Sequence, residues 1–558
     1  MTEDKPIPPR SLTSSPRHLV TLSSVTLGVL LTLVVRGYRF GESNHAVYLV
    51  DAVRRLDPSL LRNDWWAQST LQYHFVFNAL TAGLMRLGIL EPAFLAGYLL
   101  LAMLLHVAWR RITLALGGSD GTYLLSVVLF YVLAGGVGLG MYHFLQDSAF
   151  LPSNISNVAM LWGVYFWIVG TPALAGVCLG IAGMFHINHA LAGIALWSVA
   201  SVFEGRGVWR SKTWWVGTMT LLALSAVQIV PAARVVLSRS GKLPLGEFVD
   251  LFVRLRHPHH FDPRAWHWGI WLTFLLPLPF AAIAAWTRPR DEAGRRASVV
   301  FGILLAMTAA ALLTAGFWFV SETFVQLNLY RFSIYPKLLS CVAVAWLLWD
   351  QWRRTRAAVV AALAAFAVVT ATVAVTSGLL ARPTLRNPVG IKLAGLEGDS
   401  THYLELARWA RDHTPPDTVF VVPPDEESFR VHARRAIVVN FKGVPQLSAE
   451  LPEWRDRLRD VLDLDTRGLL ALPRPLGRTM QAIRARYDSL PPEHLFEVAR
   501  KYGARYVVRT RRADATGARL VHSDSNDLYY LYDLGSETVN PGLRPDRADT
   551  ARLSPPRE

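Results

Sequence analysis

The 558-residue chain has only two cysteines, Cys178 and Cys341, and both lie inside apolar segments. That excludes a disulfide framework and a cysteine-based zinc site, and leaves both as packing residues. Charge is scarce too: Asp, Glu, Lys and Arg make up 18% of the residues against 52% hydrophobic ones, and the mean hydropathy is +0.27. Such a chain is too apolar for an ordinary soluble enzyme and too charged to consist of membrane spans alone. No internal repeat is evident, and none of the inverted kind that transporters carry. Nor is there a nucleotide loop. Gly135-Gly-Val-Gly-Leu-Gly140 follows no strand, has no Lys-Ser/Thr and falls inside an apolar run, where glycines serve close helix packing.

What is present is a series of apolar runs near 19–36, 92–109, 121–140, 155–170, 172–186, 188–203, 213–232, 269–286, 298–319, 330–349 and 357–381. Several are at the short end of the roughly 17–25 residues that a span needs. The first follows Lys5, Arg10 and Arg17 and leads into no small-residue cleavage site, so it reads as an uncleaved span. The formal charge of +15 comes largely from arginine, much of it in short loops. That pattern is topological, and no nucleic-acid partner is expected.

Phe75–Leu90 is also apolar, and counting it as a span would invert everything after it. Laid along the outer surface, it lets Arg110-Arg111, Arg206 with Arg210 and Lys212, Arg288 with Arg290, Arg295 and Arg296, and Arg353 with Arg354 and Arg356 share one face with the basic N-terminus. This arrangement obeys the positive-inside rule throughout, so 75–90 is expected to be a juxtamembrane helix. The odd span count then puts everything after Ala381 outside. Residues 395–538 alternate in strand fashion at Thr418–Val422, Ala436–Val439 and Tyr506–Val508 between helical stretches. The expected fold is therefore mostly α: a polytopic helical membrane bundle of about eleven spans over 19–385, carrying a small extracytoplasmic α/β domain over 395–538. Residues 1–18 and the Pro- and Arg-rich tail 539–558 are expected to be disordered.

Polar chemistry collects on the outer face. The first outer loop, 37–91, carries Glu42, His45, Asp51 and Asp64, and a carboxylate at such a boundary can be a general base or a metal ligand. Trp65 and Trp66 in that loop read as interface anchors. Asp147 lies in the second outer loop, and His186 and His189 are three apart, on one helical face, where they suit a metal, a phosphate or a structural role. The fourth outer loop, 233–268, has an amphipathic stretch running into Arg256-His257-Pro258-His259-His260-Phe261-Asp262, compatible with a divalent cation or an anionic lipid head group. Arg331 can snorkel, but Lys337 would lie roughly 10 Å deeper. A charge there costs about 2.5–3.5 kcal/mol or more without a partner, so a lipid phosphate or Glu322 is expected beside it.

Gly41-Glu42, Tyr48, Arg54-Arg55, Asn63-Asp64-Trp65, the 75–90 helix and Arg110-Arg111 follow in an order that resembles the GT-C superfamily of membrane glycosyltransferases, over about the first 150 residues. The resemblance implies a polyprenyl-phosphate-linked sugar as donor, Glu42 as base, Asp147 as a second acidic residue, and a bacterial inner-membrane location. Gly41 stands where the family has the first acid of its pair. The whole chain also resembles an uncharacterised bacterial family that shares the Arg-His-Pro-His-His turn and the segment through Thr414-Pro-Pro-Asp417, Phe429-Arg430, Arg434-Arg435 and Glu453-Trp454.

The leading expectation is a glycosyltransferase in which Glu42, or else Asp51 or Asp64, deprotonates the acceptor. His257, His259, His260, Arg331 or Lys337 would meet the donor phosphate, with His45, Asp147, His186, His189 and Arg256 around the substrate. The alternatives are a transporter or flippase of an anionic lipid or solute, and a non-catalytic assembly protein whose outer domain binds a partner, through segments such as Phe429–Arg435 that suit a sugar cleft equally well.

Overall fold

The structure, a computed structural model, describes residues 16–351 and 402–535 apart from 42, 239–242, 288–290 and 514–516; between 352 and 401 it describes 360, 364, 367, 368, 391 and 392. Glu42, the tail from 539, nearly all of the N-terminal stretch 1–18 and most of the expected span 357–381 lie outside the described residues.

Among the described residues, five helices are long and apolar enough to cross a membrane: Leu90–Ala115, Lys212–Leu237, Trp268–Thr287, Glu292–Phe317 and Glu322–Trp349. Shorter apolar helices at Ser23–Arg36, Asp120–Val132, Pro172–Phe185 and Ile187–Phe203 accompany them, and the chain is a multi-pass membrane protein. With little hydrophobic gain available between helices in lipid, close approach matters. A Cβ on Gly176 would stand 2.2 Å from the Gly217 carbonyl oxygen, so helices 172–185 and 212–238 touch backbone to backbone there. Phe75–Arg86 forms a helix of 12 residues. At about 18 Å it falls well short of a hydrocarbon core of about 30 Å.

The run expected to span at 121–140 does not do so as one helix. It ends at Val132, and Gly135, Gly136 and Gly140 then take φ values of 66°, 74° and 69°, a left-handed region open to glycine at little cost. The glycines thus break the helix instead of packing it. Lys337 fills the break. Its ammonium donates to the carbonyls of Leu133 and Val137, each at 2.6 Å, and the Ser333 hydroxyl accepts from Leu139 N–H at 2.8 Å. Lys337 is fully buried, and its partners are these backbone oxygens, not the lipid phosphate or Glu322 expected from the sequence.

The first strand, β1 (Tyr38–Arg39), pairs in parallel with β2 (Ile391–Lys392) and ties the end of the first helix to the approach of the C-terminal domain. That domain is built on a five-stranded mixed sheet of β3 (Val419–Val421), β4 (Ala436–Ile437), β5 (Tyr506–Arg509), β6 (Arg519–Ser523) and β7 (Tyr530–Asp533), in the order β4-β3-β5-β7-β6. The first three strands run parallel, and β7 and β6 close the edge antiparallel. Helices His402–His413, Leu451–Leu462, Leu476–Ser489 and Pro492–Lys501 surround it. Phe420, Val507 and Val508 are buried in the middle of the sheet, as parallel strands with covered faces demand.

The domain sits on the bundle through polar contacts with its loops. Asn63 donates to the Asp417 carbonyl at 2.7 Å, Leu71 N–H to Glu450 at 3.1 Å, and Gln326 to the Gln446 carbonyl at 2.6 Å. At the centre, Arg430 Nε meets Asp64 at 2.7 Å with both side chains almost wholly buried. Trp66 lies under the Arg430 guanidinium at 5.3 Å, and Trp65 under that of Arg457 at 5.0 Å. These two indoles were expected to anchor in the membrane interface. They serve the domain contact instead.

Candidate active site at the domain-bearing end of the bundle

Beneath the docked domain, the broken segment after Val132, the His186 turn, the 256–260 turn and the 328–333 turn converge. Arg331 stands at the middle, 8% exposed. Its Nη1 donates to His186 Nε2 at 2.6 Å, and its guanidinium lies over the Tyr142 ring at 4.8 Å. On the other side Tyr142 stacks against His260 at 5.0 Å, and His260 lies 4.1 Å from the His259 ring. The Tyr142 hydroxyl accepts a short hydrogen bond from Asn328. From the first loop, Tyr48 and His74 pack edge to face at 4.7 Å, and His74 meets His186 at 5.2 Å.

The turns hold these groups in place. His260 Nδ1–H donates to the Gly140 carbonyl at 2.6 Å and His257 Nδ1–H to Phe252 at 3.0 Å. Pro258 begins the short helix between them, a position where the missing N–H is harmless. Burial, reinforced for His259 and His260 by the cations Arg256 and Lys442, holds all three imidazoles of this turn below their usual pKa, His260 at about 4. At neutral pH they are uncharged hydrogen-bonding groups. Burial likewise takes His74 to about 3.

Five buried polar atoms here have no hydrogen-bond partner among the described residues: Arg331 Nε, Asp147 Oδ2, Asn328 Oδ1, His259 Nδ1 and His74 Nε2. Buried polar groups are nearly always satisfied, so such a concentration marks a place made for something else. Backbone strain marks the same place. Asp147 and the following Ser148 both take φ of 55°, and Met141 takes 63°, each a conformation that non-glycine residues adopt only when their surroundings impose it. A cavity of about 20 Å³ opens beside Tyr48, Tyr73 and His74, against Gln446 of the C-terminal domain, room for about one water. A larger cavity of about 480 Å³ lies at the opposite end of the bundle among Leu116, Ala284, Arg295 and Trp346, and none of the five unpartnered atoms is near it.

The residues singled out from the sequence divide into two groups. Asp147, His186, Arg331 and the 257–260 histidines come together. His189 stands beside them, 5.2 Å from the His186 ring, and donates to Asn157 at 2.7 Å. Others are engaged elsewhere. Asp51 accepts from Arg54, Arg55 and Asn78. Asp64 caps its own helix at Ala67 N–H and accepts from Arg430 and Ile437 N–H. His45 accepts from Gly41 N–H and donates to the Phe150 carbonyl. Arg256 donates to the Phe441 carbonyl at 2.9 Å, and Lys337 fills the helix break. Arg430 and Arg435, in the segment considered for a partner, turn inward to Asp64 and to Thr414. Asp262 caps the turn that follows it, at Arg264 N–H, and among the described residues no set of three or more His, Cys, Asp or Glu is arranged to hold a metal ion. Sequence reasoning missed Tyr142 and Lys442, whose residue types signal nothing without the fold, whereas Asn328 stands out in the sequence among the polar residues of the fifth outer loop.

Comparisons with known proteins give three kinds of result. A family model for a domain of unknown function, DUF6798, matches residues 401–461, the stretch from helix 402–413 to helix 451–462. No curated protein matches. Among solved structures, the chain is similar to ArnT from Cupriavidus metallidurans bound to undecaprenyl phosphate, at 15% identity and TM-score 0.47, over 95% of this chain and 100% of that one. It is similar to the arabinofuranosyltransferase AftD from Mycobacteria at 15% identity and TM-score 0.46, over 93% of this chain and 40% of that one. The third is an Archaeoglobus fulgidus oligosaccharyltransferase in complex with zinc and sulfate, at 14% identity and TM-score 0.46, over 87% of this chain and 68% of that one.

Proposed function

We propose that the protein is a membrane glycosyltransferase that moves a sugar from a polyprenyl-phosphate-linked donor to an acceptor, on the extracytoplasmic side where its C-terminal domain sits. The observation that carries this reading is the meeting of a buried guanidinium, uncharged imidazoles and five unpartnered polar atoms at one membrane-facing end of the bundle. A phosphate-linked donor supplies what these groups lack. Its phosphate gains charge as the sugar leaves, and donors already fixed in a water-poor site stabilise that charge without reorganising. Arg331 holds the leaving phosphate with its free Nε, and the histidines of the 257–260 turn hydrogen-bond to it.

Asp147 takes the acceptor proton. One of its oxygens has no partner among the described residues, whereas Asp51 and Asp64 are both enclosed by donors. Glu42 remains an alternative base on the resemblance stated above. The loop-charge pattern supports the orientation. The test is transfer from a synthetic polyprenyl phosphate sugar by purified protein in nanodiscs, monitored by the release of polyprenyl phosphate. Asp147→Asn should retain donor binding and lose transfer. Unchanged transfer by Asp147→Asn and by Glu42→Gln together would refute the mechanism.

A further inference from the structure

The C-terminal domain reaches the site through one tight turn, Asn440-Phe441-Lys442-Gly443, and that turn is held from two sides. On one, the Arg256 guanidinium lies over the Phe441 ring at 5.4 Å while donating to its carbonyl. On the other, Asn440 Oδ1 accepts from Gly443 N–H and from Arg430 Nη1, both at 2.9 Å, and Arg430 is itself fixed by Asp64 at 2.7 Å. A Cβ on Gly443 would stand 2.6 Å from Asn440 Oδ1 and would displace that side chain. The relay from Asp64 through Arg430 and Asn440 ends on the backbone that carries Lys442.

Lys442 is the residue this relay presents. Its side chain is 15% exposed, and its ammonium lies 3.7 Å from Glu427, near the limit of an ion pair. The charged groups facing it are Glu427, Arg256 and Asp147, and its charge is felt in turn by His259 and His260. Arg331 and Lys442 both act on His260, Arg256 lies beside them with its guanidinium on the Phe441 carbonyl, and Lys442 faces the carboxylates of Asp147 and Glu427. Like charges gathered in a poorly solvated place are unfavourable unless an anion joins them. We infer that Lys442 is a ligand-binding cation supplied to the site by the C-terminal domain, contacting the anionic group of the donor, and that Asp64 is a positioning residue acting through Arg430 and Asn440. This rests on the function proposed above. It assigns a part in the reaction to the C-terminal domain, and gives Asp64 work other than proton abstraction.

Burial, with Arg256 adding to it and Glu427 opposing, holds Lys442 below the ordinary 10.5 of a lysine. Anion binding needs the protonated amine, so affinity should fall as pH rises through that lowered value. The experiment measures binding of undecaprenyl phosphate to the full-length protein in nanodiscs across pH, with thermal midpoints in parallel. Lys442→Met should weaken binding about tenfold and abolish the alkaline limb, and Lys442→Arg should keep the affinity and move the limb upward. Asp64→Asn and Arg430→Lys should shift the limb while leaving Lys442 in place, which a purely structural role would not do. In unmodified protein, undecaprenyl phosphate should protect the Lys442 amine from acylation, read by peptide mass spectrometry, and undecaprenol should not. If the wild type binds the lipid phosphate but Lys442→Met binds it equally, with the same pH profile, or if Lys442 is not protected, the inference is overturned. If Asp64→Asn and Arg430→Lys leave the limb unmoved, the positioning role fails. Failure of the wild type to bind the lipid phosphate would instead overturn the proposed function itself.

Discussion

The two ends of the bundle are both rich in cations, and they differ in what those cations touch. At the end away from the C-terminal domain, Arg110 meets Asp120 at 2.5 Å, and Arg295 and Arg296 meet Glu204 at 2.9 and 3.0 Å. At the domain-bearing end, Arg331 meets an imidazole and a phenol ring, and Lys442 stands 3.7 Å from its carboxylate. A loop arginine counts the same in either place when topology is read from sequence. Carboxylates enclose the cations at the far end, and at the domain-bearing end they enclose Arg54, Arg55 and Arg430 while Arg331 meets none: a matched cation holds a fold together, whereas on the proposed function an under-matched one receives an incoming anion.

That contrast can be broken in order of expected effect. Arg331→Met should lower transfer about a thousandfold, in line with the loss of a preorganised electrostatic group, measured as kcat with saturating donor. Asp147→Asn should lower kcat by about 10²–10⁴ with an unchanged thermal midpoint. Asp64→Ala leaves Arg430 buried without its anion and should destabilise the protein by about 3–5 kcal/mol, seen in chemical denaturation. The histidines predict a pH effect. His260 falls from 6.5 to about 4 in the folded protein, so the unfolded chain binds more protons between those values. Stability should decline as pH falls through that window, and His260→Phe should flatten the slope of a thermal-shift series. Finally, Arg296→Met at the far end should alter stability by about 1 kcal/mol or less and leave donor binding untouched. If it weakens donor binding as much as Arg331→Met, the distinction between the two ends is wrong.

Much of the frame was legible in the chain. Apolar length marked out most of the helices, Phe75–Arg86 among them. Strand alternation located β3, β4 and β5. The sequence misled where one residue type serves two purposes. Gly135–Gly140 looks like packing glycine because left-handed backbone leaves no mark in composition. Lys337 reads as a ligand group because nothing local reveals that a helix 200 residues earlier stops and offers it carbonyls. The histidines and Arg331 were visible because polar residues in apolar surroundings are conspicuous. Lys442 was not, since a lysine in a polar domain is ordinary until the domain docks.

The pairing of Asp64 with Arg430 also has a meaning in time. The two residues are 366 positions apart, so during synthesis the carboxylate emerges long before its guanidinium exists. The first loop cannot reach its final arrangement until the segment carrying Arg430 has been made. A chain stalled before Arg430 would carry the first loop without its partner, and the contact between Asp64 and Arg430 would be missing. The arrangement of the first loop therefore waits on the folding of the C-terminal domain.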